Sequence, residues 1–204
     1  HFAMARMLSI EQYGVLVALY SIIYITAIFS ESIQLVISRY TTKEKNLGKV
    51  KNIVKRTSKK ALKISVYLII VYLVIAIFLS KILKINYFMM ALTGAIIFSS
   101  FLMPITRGVL QGKKRFGALG INMIMESVFK LIFAVLLVSV GWAVYGAIVA
   151  TLIGVYASFL LSFISIKDIL SQKEQATATH GIYAYTAPTF VAIVAIIIFY
   201  SSDV

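Results

Sequence analysis

The sequence predicts an all-α fold, a polytopic bundle of transmembrane helices, and three observations carry that prediction. Of the 204 residues, 61% are hydrophobic and only 13% are charged, against roughly 45–50% and about 25% in a soluble domain. The apolar residues gather in runs: 62–80 reads ALKISVYLIIVYLVIAIFL and 183–201 reads YAYTAPTFVAIVAIIIFYS. Each is close to the roughly 20 residues that cross a hydrocarbon core. The runs also lack the polar–apolar alternation of a transmembrane β-strand. Backbone groups inside lipid must pair within their own element, so the runs are helices.

About six complete spans are expected, at 13–37, 62–80, 87–105, 118–139, 142–166 and 183–201. Ahead of them HFAMARML is too short to span and reads as the tail of a helix. The chain opens on His1 and stops at Asp203–Val204, directly after a span, so a piece of a longer protein is expected. The formal charge is +13. In a soluble chain that would suggest nucleic acid, but here the cations lie between spans, and no nucleic-acid partner is expected. Segment 39–63 carries Arg39, Lys43, Lys45, Lys49, Lys51, Lys55, Arg56, Lys59, Lys60 and Lys63 against Glu44 alone, and 106–117 carries Arg107, Lys113, Lys114 and Arg115. Segment 81–86 holds only Lys81 and Lys84, and 140–142 holds no charge. Cytoplasmic loops are the ones rich in Lys and Arg. Hence 39–63, 106–117 and 167–182 are expected in the cytoplasm, with His1 and Asp203 outside, in a multi-pass protein of the cytoplasmic membrane.

Segment 42–63 reads as more than a loop. Thr41-Thr42-Lys43-Glu44 has capping-box spacing, which predicts a helix start there. Leu47, Val50, Val54, Ala61 and Leu62 form one apolar stripe with Ile53 beside it, and lysines cover the rest. The pattern is that of an amphipathic helix on the inner leaflet. It either sets topology alone or binds anionic membrane lipids through their head groups.

Charge inside the hydrocarbon layer is expensive, so each intramembrane polar residue is a candidate for function. Glu31 lies on a stripe of Tyr20, Tyr24, Ala27, Glu31, Gln34 and Ser38, whose spacing of three and four puts them on one helical face. That face meets a watery cavity, or Glu31 reaches solvent at the inner surface. Asn122, Glu126 and Lys130 follow one another at intervals of four, with Glu before Lys in the favoured order for a helical ion pair. The pair either neutralises itself or lines a cavity for an anionic head group or a coupling ion. Thr93, Ser100 and Arg107 recur every seven residues, with Arg107 placed to snorkel. Thr151, Ser158, Ser162 and Ser165, with Gly154 nearby, suggest close helix packing. Pro104 and Pro188 lie inside spans and are expected to kink or interrupt them.

No catalytic pattern is present: no Ser/His/Asp set, no HExxH and no Gly-rich phosphate loop. There is no cysteine, and His1 and His180 lack ligand spacing, so neither metal nor cofactor is expected. An enzyme is not expected.

Residues 104–117, PITRGVLQGKKRFG, contain Arg107-Gly108, Leu110-Gln111-Gly112 and Phe116. This segment resembles the polysaccharide-biosynthesis flippases, exporters of the O-antigen and teichoic-acid type. Residues 5–14, ARMLSIEQYG, are similar to that family's segment after its first helix, and 183–203 to its seventh helix, with Pro188 early and Asp203 at the outer end. The likeness covers essentially the whole chain in order. It implies a two-lobe fold of twelve to fourteen helices related to the multidrug and toxin extrusion exporters and the lipid II flippases. Residues 1–180 would be most of the N-terminal lobe, and 183–204 the first helix of the C-terminal lobe, the rest of which would follow in the same, monomeric chain. The substrate it implies is a lipid-linked oligosaccharide, a polyprenyl-pyrophosphate-linked sugar, flipped by alternating access for cell-surface polysaccharide export. Arg6, Arg107 and Lys130 are then the cationic candidates, with Glu31, Gln111, Asn122 and Glu126 beside them in the cavity. The coupling ion, H+ or Na+, stays open. Two alternatives remain: a cation-coupled multidrug exporter of the same superfamily, and a membrane-embedded enzyme of envelope polysaccharide synthesis.

Overall fold

The computed structural model describes residues 2–178 and 180–202, with side chains for all of these except 2, 180, 183, 186 and 196–202. His1 and Asp203, expected outside the membrane, lie beyond the described residues. Among these residues the chain is helical and contains no strand: α1 (Phe2–Met7), α2 (Ile10–Lys43), α3 (Leu47–Leu83), α4 (Tyr87–Gly112), α5 (Phe116–Leu137), α6 (Ala143–Ser165), α7 (Lys167–Leu170) and α8 (His180–Ser202). Residues Val138–Trp142 form a kink between α5 and α6 with non-helical backbone at Gly141.

Four helical stretches among the described residues are long and apolar enough to cross a membrane: Ile10–Lys43, Leu47–Leu83, Tyr87–Gly112 and the 50-residue run Phe116–Ser165. The protein is therefore an all-helical membrane protein. The runs expected at 118–139 and 142–166 both lie in that last stretch, as the separate helices α5 and α6 on either side of the kink. Their joint contains Gly141 at φ 95° and Ala143 at φ 45°, and the positive φ at 141 is readily adopted only by a residue without a β-carbon.

Helix starts differ from expectation in an instructive way. The predicted start at Thr41–Glu44 does not exist, because these threonines close α2. Thr41 is buried and its hydroxyl donates back to the Ile37 carbonyl at 2.8 Å, and Thr42 donates to Ser38 at 2.7 Å. Helix α3 starts at Leu47 instead. Asn46 caps it, its Oδ1 accepting from the Gly48 N–H at 2.8 Å. A capping box does occur, at Ser9 and Gln12: each side chain accepts the other's backbone N–H at 3.2 Å, which satisfies two orphan donors at the head of α2. From Leu47 the helix runs unbroken for 37 residues to Leu83, about 55 Å at 1.5 Å per residue. No turn separates a surface helix from the span. Val50, Ile53, Val54 and Ala61 of the expected lipid-facing stripe are buried within the protein, and Leu62 is exposed. Helices α4 and α8 also continue past Pro104 and Pro188. Proline removes one helical hydrogen bond, which packed transmembrane helices tolerate.

The chain divides into two compact units: residues 1–25, 63–99 and 120–161, and residues 26–62, 100–119 and 162–204. In the first, Tyr72 of α3 donates to the Met90 carbonyl of α4 at 3.0 Å. Asn122 of α5 is buried and locked to Ser158 of α6: its Nδ2 donates to the Ser158 carbonyl at 2.6 Å and its Oδ1 accepts from the Ser158 hydroxyl at 2.9 Å. In the second, Gly108 lets α4 approach α2, since a β-carbon there would stand 2.7 Å from the Gln34 carbonyl oxygen. Helix α8 lies along α2, with Phe190 stacked on Phe29 at 4.3 Å between ring centres and Arg39 over the Tyr185 ring at 4.4 Å.

Candidate site around Lys130

The first unit contains a cavity of 280 Å³ lined by Met4, Tyr20, Tyr24, Lys130, Ala134 and Thr151, among others. Its polar groups are positioned by helical spacing. Tyr20 and Tyr24, four apart on α2, turn the same way, their rings 6.3 Å apart. Tyr20 Oη and Thr151 Oγ1 are 2.8 Å apart. The threonine hydroxyl donates its one proton to the Ala147 carbonyl at 2.9 Å, so Tyr20 is the donor to Thr151. Lys130 Nζ donates to Glu126 Oε1 one turn back on α5, and the two side chains are 35% and 14% exposed. The carboxylate is thus almost buried while its lysine borders the cavity. Gly154 of α6 makes the room: a β-carbon there would lie 2.5 Å from Lys130 Cγ and 2.9 Å from the Glu126 carbonyl oxygen. The Tyr20 and Thr151 protons are spent within the wall, so an anionic oxygen-rich group in the cavity would be held by the Lys130 ammonium with the Tyr24 side chain beside it.

The other candidates fall elsewhere. Asn122 is committed to Ser158, and Arg6, in the last turn of α1, is exposed. In the second unit, Gln111 accepts from Gln34 Nε2 at 3.0 Å, Glu31 is exposed, and Arg107 is half-buried. The hydroxyl stripe of α6 serves its neighbours as well as the cavity: Ser158 bonds to Asn122, and Ser162 to Thr106 at 2.7 Å.

Contacts far apart in sequence escaped prediction. Arg115 holds Asp168, Nη1 to Oδ1 at 2.8 Å, and this guanidinium keeps the Asp168 carboxyl below its usual range. Lys55 and Asn52 do the same to Glu174. Burial pushes the Lys113 ammonium down, against the pull of Glu44. A second crevice in the first unit, of 530 Å³, is lined by Phe88, Leu92, Gly141, Trp142, Tyr145 and Val149, with no charged group among them. Among the described residues no three His, Asp or Glu side chains come together as a metal site. No family model matches this chain, no curated protein matches it, and no solved structure does.

Proposed function

We propose that this chain is the N-terminal lobe of a six-span type, with the first helix of a second lobe, of a transporter that flips a polyprenyl-pyrophosphate-linked oligosaccharide across the cytoplasmic membrane by alternating access. The observation that carries the proposal is the cavity at Lys130. Charge in a span costs about 2.5–3.5 kcal/mol even on a lenient scale, and here the lysine of the charged pair borders a recess lined by both polar and apolar side chains rather than being replaced by an apolar residue. The recess is at the small end of the roughly 300–1,000 Å³ typical of ligand sites. It suits a phosphate-bearing head group, while the polyprenyl tail stays in lipid. The likeness of residues 104–117 and 183–203 to the flippase family points the same way. Of the basic connections, 106–117, 167–182 and all of 39–63 except Lys63 belong to one compact unit, and the charge-poor 81–86 and 140–142 to the other, which supports the proposed orientation.

The test is export of the sugar-lipid by Lys130→Met. If Lys130 meets the pyrophosphate, export collapses while expression and insertion persist, and adding Glu126→Gln does not rescue it. Rescue by that double change would reduce the lysine to a neutraliser of Glu126. Full export in the single variant would remove Lys130 from the site.

A further inference from the structure

Residues 171–178, between α7 and α8, read SQKEQATA and contain no helix from Lys173 to Ala178. They are nevertheless held along the first turns of α3, all within the second unit. Lys51 Nζ donates to the Gln172 carbonyl at 2.8 Å. The Gln175 N–H donates to the Gly48 carbonyl at 3.2 Å, and Asn46 Nδ2 to Gln175 Oε1 at 3.0 Å. Asn52 works at both ends: its Nδ2 donates to Glu174 Oε1 at 2.7 Å and its Oδ1 accepts the Thr177 N–H at 3.3 Å. Lys55 Nζ takes the other Glu174 oxygen at 2.5 Å. At Gly48 a β-carbon would collide with the Lys173 carbonyl, so the groove has no room for a side chain there.

We infer that the first three turns of α3 are a docking surface for an extended peptide carrying one carboxylate, occupied by residues 172–177 of this same chain and closed by Glu174. Side chains of α3 recognise the segment's backbone as well as its one carboxylate, as a peptide-binding groove does. Asn52 is only 5% exposed, so emptying the groove would leave a buried amide without its partners, which favours occupation. The remaining contacts are at the surface, and exposed ion pairs are individually weak, so the segment can be released. The latch thereby controls the lead into α8, since only 178 and 179 separate Thr177 from His180. This inference rests on no step of transport.

These 204 residues contain no cysteine, so Ala176→Cys in this chain, reconstituted in nanodiscs, accepts one nitroxide at an exposed position. The expected spectrum is immobilised, and Glu174→Ala or Lys55→Ala removes the immobilised component. Exchanging the charges, Lys55→Glu with Glu174→Lys, restores it. A label that tumbles as freely in the parent as in Glu174→Ala would overturn the latch. Immobilisation surviving Glu174→Ala, or no recovery in the exchanged pair, would overturn the assignment to Glu174.

Discussion

Gly154 and Lys130 share one volume between α6 and α5, the glycine's missing β-carbon leaving the space through which the lysine stem passes. The lysine reaches the cavity because its neighbour has no side chain.

Gly154→Ala should therefore destabilise the protein by about 1–3 kcal/mol, the usual cost of overpacking, read as a lower Tm in detergent. The cost should shrink when Lys130→Ala removes the Cγ that the new methyl meets, a coupling that a double-mutant cycle measures. Additive losses would show that the contact is not the cause.

Glu126→Gln leaves Lys130 without its anionic partner at a site 35% exposed. Breaking a fully buried pair costs about 3–5 kcal/mol, and partial exposure should reduce this to about 1–2 kcal/mol. Chemical unfolding of the single variants and of Glu126→Gln with Lys130→Met tests it, the double variant regaining part of the loss.

Asn122→Ala removes the two bonds its side chain makes to Ser158 and leaves the Ser158 hydroxyl its bond to the main-chain carbonyl of residue 122. A buried group left unpaired costs about 1–3 kcal/mol, and thermal unfolding should show it. Asn122→Leu with Ser158→Ala replaces the polar pair together and should recover part of the difference.

The Asp168 carboxyl is held below its ordinary 3.8 chiefly by its hydrogen bond to Arg115. A folded value below the unfolded one contributes stability above pH 3.8 and loses it as the pH falls through the folded value. The pair is largely exposed, so the contribution is within about 1 kcal/mol. Asp168→Asn should lower Tm near neutrality by the equivalent of at most about 1 kcal/mol, flatten the pH dependence of Tm below pH 4, and leave Tm in acid almost unchanged.

Single cysteines at exposed positions 59 and 84 report orientation. An impermeant thiol reagent applied to intact cells should label position 84 and spare position 59; the reverse would invert the topology.

What was legible in the sequence is what repeats with the period of a helix. The apolar runs gave helices, the interval of four between Glu126 and Lys130 gave their ion pair, and that between Tyr20 and Tyr24 gave their common face. What was not legible depends on long-range contact. Glu174 and Asn52 are 122 positions apart, and nothing local marks either as a partner. Thr41-Thr42-Lys43-Glu44 misled because a threonine hydroxyl can cap the helix ahead or bond back to the turn behind. Burial of Thr41 against α4, where its Oγ1 lies 3.5 Å from the Gly108 carbonyl, decides for the second. The apolar stripe of α3 had the right period, but what covers it is protein.

The joint at Val138–Trp142 places the chain's single tryptophan in the uncharged crevice with Phe88 and Tyr145. These 204 residues thus carry one indole chromophore, at one address. Its emission maximum reads the polarity where that crevice meets its surroundings, since Trp142 is 51% exposed, and quenching by lipids brominated at known positions along the acyl chain would give the depth of the α5–α6 joint in the bilayer without a label or a substitution.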